Sequence, residues 1–262
     1  MGRVILGIFS RPGRLAAVLA SVALLAFSGP SSAQQSVPGG FTPEQAEGLQ
    51  QIIRQYLLNN PEVLIEALRE YQQRQRVAKE ERQQQAVAAA REALEGDPDS
   101  PVLGNSEGDV VLVEFFDYRC PYCRQMAGDL RRIVARDGNV RLVMKELPIL
   151  GPPSIRAARA ALAAQKQGKY AAYHAALMEQ PGDMSEPHLN RVAETLGLDV
   201  ERLRRDMESD EISQMIQRNK DLARLLSIGG TPAFVIGGRV MPGAVSAETL
   251  QRLIVDARAG AS

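Results

Sequence analysis

The spacing of apolar positions changes several times along this chain, and each change marks an element. Leu15 to Phe27 is a 13-residue apolar stretch interrupted only by Ser21. After a lead-in of Gln, Pro and Gly at 34–40, Leu49, Ile52, Ile53, Tyr56 and Leu57 recur at helical spacing. Val63, Leu64, Ala67, Leu68 and Tyr71 repeat the pattern. Thr42-Pro43-Glu44-Gln45 opens the first of these helices, with Thr42 as N-cap, Pro43 at the first position and Gln45 completing a capping box. Asn59-Asn60-Pro61-Glu62 closes it and caps the second. From Gln72 to Gln85 the pattern is polar on every side, with six Gln and only Val77 and Ala78 apolar; 86–95 returns to helix-favouring residues. The spacing predicts one helix over 62–95, roughly 50 Å long.

The period then shortens to that of strands. Gly96 to Gly108 is rich in Gly, Pro, Asp and Ser and reads as a boundary, with room for a brief strand at Val102-Leu103. Val110 to Phe116 is a β-branched and aromatic run, the signature of a buried strand. Met126, Leu130, Ile133 and Val134 predict a helix ending near Asp137-Gly138-Asn139, and Val140 to Leu147 predicts the next strand. Strand, helix and strand at this length imply a parallel pair. From Ser154 to Ser227 the reading is all helix, over 154–167, 169–179, 186–196, 200–208 and 210–226. Ala233 to Ile236 and Arg239 to Met241 form a hairpin on a Gly237-Gly238 turn. A last helix follows Ser246, with Leu250, Leu253, Ile254 and Ala257 inward.

These elements divide the 262 residues into a leader at 1–33, an N-terminal helical region at 34–96, a core domain at 97–150 and 228–262, and a helical insertion at 151–227. The leader has the form of a secretory signal: Arg3, Arg11 and Arg14, then the 13-residue apolar stretch, then Ser31-Ser32-Ala33 for cleavage. The alternative is an uncleaved anchor, against which the shortness of the apolar run counts. Its loss leaves 28 of the 31 basic residues against 31 acidic ones, so the mature chain is slightly acidic. No basic run with interleaved aromatics points to nucleic acid. Two short apolar stripes do not fold alone in water. They pack on the main domain or on copies of themselves, and the polar stretch between them and the core favours a homo-oligomer built on 42–71.

The chemistry lies where the first long strand turns into a helix. The only two cysteines, Cys120 and Cys123, stand there, with Pro121 and Tyr122 between them. Free N–H groups and the positive end of the helix dipole stabilise a thiolate at Cys120, and Cys123, one turn on, can reach its sulfur. This is a nucleophile with a resolving partner. A structural bridge is a poor alternative, because so short a loop constrains the unfolded chain little. Zinc needs two further ligands, and only His174 and His188 are available among histidines, both far along the chain. Cu(I) could still sit between two thiolates. Glu114 interrupts an apolar strand six residues before Cys120, and Lys145 ends the apolar run of the next strand. They are either functional buried charges or strand-end residues reaching water.

Phe115-Phe116-Asp117-Tyr118-Arg119-Cys120-Pro121-Tyr122-Cys123, Gly229-Gly230-Thr231-Pro232-Ala233-Phe234-Val235-Ile236-Gly237 and the helical insertion together resemble the DsbA family of exported disulfide oxidoreductases. With the Asn60-Pro61-Glu62-Val63-Leu64 helices the likeness extends to its ScsC-like branch (suppressor of copper sensitivity) over about 42–260. The resemblance implies an α/β thioredoxin fold with an inserted helical domain, a periplasmic location and no cofactor. It implies protein substrates with thiols or disulfides, a membrane redox partner and a homo-oligomer, trimers being among those of that branch. It places Thr231 and a cis Pro232 opposite the cysteines, where the backbone pairs with substrate. It also implies that Glu114 and Lys145 lie near Cys123 and shuttle its proton. Tyr122 stands where the best-known oxidase of the family has a His, and cannot add charge beside the thiolate. Isomerase-type exchange, dithiol oxidation and a Cu(I)-binding module are the three readings, the N-terminal helices favouring the first.

Overall fold

Two apolar runs that pair in register set the architecture. The computed structural model describes residues 40–180 and 182–260; the expected leader at 1–33, the lead-in up to 39 and the turn residue Pro181 lie outside them. Strands β1 (Val102–Gly104), β2 (Val110–Phe116), β3 (Val140–Glu146), β4 (Ala233–Ile236) and β5 (Arg239–Pro242) form one sheet in the order β1-β3-β2-β4-β5. β2 and β3 are parallel, with Val110 opposite Val140 and Phe116 opposite Glu146. The other pairings are antiparallel. β4 and β5 are joined through Gly237 and Gly238 at φ 55° and 75°, the left-handed pair that a two-residue hairpin turn requires.

Side chains alternate across a strand, so the register sorts residues onto two faces. Leu112, Phe116, Leu142, Met144, Phe234 and Ile236 face one core. α3 (Pro121–Asp137), which crosses between β2 and β3, lies on it, as do the helices of the insertion and the last helix. The insertion begins with α4 (Pro152–Gln165), whose Ala157, Ala158, Ala160, Ala161, Ala163 and Ala164 are all buried. A helix so lined by methyl groups lets neighbours approach closely. Around it stand α5 (Tyr170–Glu179), α6 (Glu186–Thr195), α7 (Val200–Met207) and α8 (Asp210–Leu225), the last three N-capped by Ser185, Asp199 and Ser209. α9 (Ala247–Gly260) completes this core with Leu250 and Ile254. The fold is thus the α/β thioredoxin-like arrangement with helical insertion that the sequence predicts.

The opposite face carries Val113, Phe115, Val143, Ala233 and Val235. Leu222, Leu226 and Ile228 cover part of it; Val87, Ala90 and Leu94 cover the rest. These three belong to the segment predicted as the end of a separate stalk. The structure buries all three against the rear face of the sheet. It corrects the single helix over 62–95, which ends at Ala89 and is followed by a π-helical turn at Glu92–Gly96.

By contact the chain divides into two units, up to Glu66 and from Ala67. In the first, α1 (Pro43–Asn59) starts with the predicted capping box: Thr42 N donates to Gln45 Oε1 at 3.0 Å, and Gln45 N to Thr42 Oγ1 at 3.3 Å. Leu49, Ile52, Ile53 and Tyr56 of its stripe are exposed, as are Leu64 and Ile65 in the opening turns of the following helix, Pro61–Ala89. In the second unit Leu68 and Tyr71 are exposed too.

Lys145 is where the register overturns an expectation. It is opposite Phe115, whereas Glu114 is opposite Met144, so the two charges point to opposite faces. The Lys145 ammonium is buried behind the sheet. It donates to Ala93 O at 2.7 Å, Ser100 Oγ at 2.7 Å and Asp97 Oδ2 at 3.1 Å. It therefore pins the segment leading from the N-terminal helices to the core, and takes no part in a relay with Glu114. Lys145→Ala leaves the Asp97 carboxylate without its cation and should cost about 3 kcal/mol of stability in urea unfolding. Its rate of exchange with a small disulfide should match that of the parent.

Candidate active site

The turn from β2 into α3 is held before any cysteine chemistry is considered. Asp117, at the end of the strand, is buried, and its carboxylate accepts three backbone amides. Oδ1 takes Arg119 N at 2.8 Å; Oδ2 takes Ile149 N at 2.9 Å and Leu150 N at 3.0 Å. Its carbonyl accepts Cys120 N at 3.0 Å. One residue thus fixes both the approach to the helix and the loop after β3. Arg119 adds a further tie, donating from Nη1 to Leu150 O at 2.9 Å.

Cys120 occupies the N-cap of α3 in extended backbone, with Pro121 at the first helical position, where a missing N–H costs nothing. Its sulfur lies 3.1 Å from Thr231 O, to which the thiol donates. The Thr231–Pro232 peptide is cis. Segments 111 residues apart in sequence therefore meet at this sulfur. Tyr122 points outward and is 61% exposed. Cys123 faces inward and is fully buried. Both cysteines are free thiols.

Burial pushes the Cys123 thiol up, partly offset by the Asp117 backbone amide, with the Glu114 carboxyl and Cys120 adding to the rise. Glu114 is buried on the same sheet face as α3. Desolvation raises its carboxyl to about 8, and no hydrogen bond or ion pair from a described residue reaches it. So the structure places Glu114 beside the resolving thiol and Lys145 away from it.

Glu146, next in sequence to Lys145, takes the place expected for the lysine. It shares the face of Glu114 through the register. Its Oε1 accepts Tyr170 OH at 2.9 Å and Tyr118 OH at 3.1 Å, while its buried Oε2 has no partner among the described residues. Burial drives its carboxyl well above the usual range, and the two tyrosine hydroxyls oppose that rise. Tyr118 OH also lies 3.1 Å from His174 Nδ1, and the ring of His174 stacks on Tyr170 at 5.7 Å between centroids. Burial lowers His174 to about 4, helped by Arg131 nearby, so the imidazole is neutral. The residue-level reading did not single out Asp117, Tyr118, Glu146 or Tyr170. The signal that would have found Glu146 is its even spacing from Glu114 across a parallel pair. His188 sits at the start of α6, its amide 3.4 Å from Ser185 Oγ. Among the described residues no three His, Cys, Asp or Glu side chains converge as a metal site.

The arrangement offers one sulfur at a helix N-terminus, a second sulfur one turn on, both buried, and an acid beside the second. Comparison with known proteins agrees. The family described as DSBA-like thioredoxin domain matches residues 111–255, and the copper resistance protein ScsC N-terminal domain matches 45–78. A thioredoxin-like oxidoreductase from Silicibacter pomeroyi DSS-3 is 50% identical, over 64% of this chain and 98% of that one, with a TM-score of 0.63. Proteus mirabilis ScsC in a transitional conformation is 30% identical, over 84% of this chain and 99% of that one, with a TM-score of 0.62. A curated relative, Na(+)/H(+) antiporter NhaA 3 of Salinispora tropica, is 34% identical over 168 residues, 63% of this chain. The chain spans only 26% of that relative's length.

The state of Glu114 can be read from stability. A carboxyl raised by folding holds a proton that the unfolded chain releases. Its contribution is fully present below about pH 4.5 and is lost as pH rises through about 8. Glu114→Gln has no such proton to lose. It should match the parent in urea unfolding at pH 4.5 and exceed it increasingly toward pH 8, by up to about 4 kcal/mol. Parallel stability curves across that range would show that Glu114 titrates normally.

Proposed function

The chain belongs to the DSBA-like thioredoxin domain family of thiol–disulfide oxidoreductases, and from that premise we propose that it is an exported, periplasmic disulfide isomerase or reductase. Cys120 and Cys123 form its reactive pair. The observation that carries the assignment of roles is the Cys120 sulfur at the helix start, 3.1 Å from the Thr231 carbonyl, with Cys123 buried one turn behind.

The Cys120 thiolate attacks one sulfur of a substrate disulfide. That S–S bond breaks, a Cys120–substrate disulfide forms, and the other substrate sulfur leaves as thiolate. The substrate backbone pairs beside Pro232, at Thr231. Two routes lead on. A second substrate thiolate attacks the mixed disulfide and releases a rearranged substrate, which is isomerisation with no net redox change. Alternatively Cys123 gives its proton to Glu114 in the minor fraction of molecules where that carboxyl is ionised, and attacks Cys120; the substrate leaves reduced by two electrons while the enzyme holds the new disulfide. A membrane redox partner then restores the dithiol. Burial that keeps Cys123 protonated slows the second route and gives the first time to occur.

The exposed apolar stripe of α1, and Leu68 and Tyr71 further on, support a homo-oligomer formed through the N-terminal helices. Several sites on one assembly suit the handling of misfolded substrates better than a single-pass oxidase does. In ribonuclease assays the protein should reactivate the scrambled enzyme faster than it oxidises the reduced one. Cys123→Ser should keep reactivation above background while trapping mixed disulfides on Cys120. The reverse ranking of the two assays would make it an oxidase. In light scattering, Ile52→Glu with Tyr56→Glu should reduce the mass to that of one chain. A parent already at the mass of one chain would remove the oligomer from the proposal.

A further inference from the structure

A cleft of about 480 Å³ opens between α3 and α5. Leu142 and Met144 border it from the sheet, Ala127 and Gly128 from α3, and Ala175 from α5. Side chains this small leave the gap unfilled, and its size falls within the roughly 300–1,000 Å³ of small-molecule sites. Small residues alone name no ligand. The second observation is His174, which lines the cleft and is 8% exposed. Its neighbours fix its tautomer. Tyr118 has a single hydroxyl hydrogen, which goes to Glu146 Oε1 at 3.1 Å. The bond between Tyr118 OH and His174 Nδ1, also 3.1 Å, is therefore donated by Nδ1. The ring is neutral, so Nε2 carries a lone pair. No described residue donates to it. Unlike Glu146 Oε2, this atom is not sealed in the core, and the space that His174 borders is the cleft. An acceptor this deep without a donor costs free energy, which a ligand with a hydroxyl hydrogen would recover.

We propose that this cleft is a binding site for a small, uncharged aromatic alcohol, its ring held between α3 and α5 and its hydroxyl donating to His174 Nε2. Neither cysteine lines the cleft, so the site is separate from the reactive pair and independent of the kind of exchange that Cys120 performs. The walls select the class. A slot between two helices, lined by Ala and Gly, suits a flat hydrocarbon body better than a branched one. The deep polar contact accepts and cannot donate, so a carboxylate placed there would meet a lone pair. At the mouth Arg131 Nη1 is 2.6 Å from Glu179 Oε1, an ion pair between the helices in which each charge offsets the other. Arg124 also borders the cleft, and an anion is therefore the competing class of ligand. His174 and Tyr118 link the occupant by hydrogen bonds to Glu146, the carboxyl on the sheet face beneath the cysteine helix.

The test uses the full chain and three probes of similar shape: 2-naphthol, its methyl ether, which has no hydroxyl hydrogen, and 2-naphthoate, which is an anion. The chain has no tryptophan, so naphthalene fluorescence reads binding directly. The naphthol should bind about tenfold more tightly than either of the others. Gly128→Leu fills the cleft from α3, where an added Cβ meets only Arg132 Nη1, at 3.9 Å. It should weaken naphthol binding by about tenfold or more. His174→Phe keeps a ring and removes the acceptor. It should bring the naphthol down to the level of the ether and leave the ether unchanged. On the unaltered chain, no binding of the naphthol, equal binding of naphthol and ether, or tighter binding of the naphthoate each overturns the proposal. So does full naphthol binding by Gly128→Leu, which would place the probe elsewhere on the protein.

Discussion

The parallel pairing of β2 with β3 is the constraint from which the site follows. With Val110 opposite Val140, every even-numbered residue of the two strands faces α3 and every odd-numbered one faces away. Glu114 and Glu146 therefore lie beneath the cysteine helix, and Lys145 behind the sheet. A slip of one residue in β3 would exchange its two sets, bringing an ammonium under Cys123 and the Glu146 carboxylate into the rear core. The register also sets where β2 ends, and hence where Asp117 can gather amides from both sides of the active-site turn.

The helical insertion reaches both faces of the sheet, and on the rear face it shares the cover with residues 87–94. The alanine-rich insertion buries the face with the acids and supplies Tyr170 and His174 to the polar cluster under the site. The rear face is closed by Val87, Ala90 and Leu94, and Lys145 locks that segment by three hydrogen bonds. Within the second unit, residues 93–100 are thus tied to β3 by a buried ammonium on the face opposite the cysteine helix.

Most elements were legible because they depend on local periodicity. The strand at 110–116, the five helices of the insertion and the Gly237-Gly238 hairpin each carry their signal within their own residues. The cysteine pair and Thr231-Pro232 were legible as short motifs. What escaped the sequence depends on pairings between distant segments. Lys145 was assigned to the wrong face because side-chain direction on β3 has no meaning until its register with β2 is known. Val87, Ala90 and Leu94 looked like general helix-formers, since three residues with an alanine among them make a faint stripe. Asp117 holds amides 32 and 33 residues further on, a relation that no local pattern announces.

The two sulfurs differ in their partners: that of Cys120 meets the Thr231 carbonyl, and that of Cys123 lies on the core side of the helix. Cys120 caps the helix, and Tyr122 beside it brings no cation. Cys123 is one turn deeper, among apolar side chains, with an acid that burial also keeps protonated. No cation among the described residues offsets the charge that would form there, because the one lysine near in sequence faces the other way. The burial that holds the proton on Cys123 is the physical ground of the proposed preference for a second substrate thiol as the resolving group.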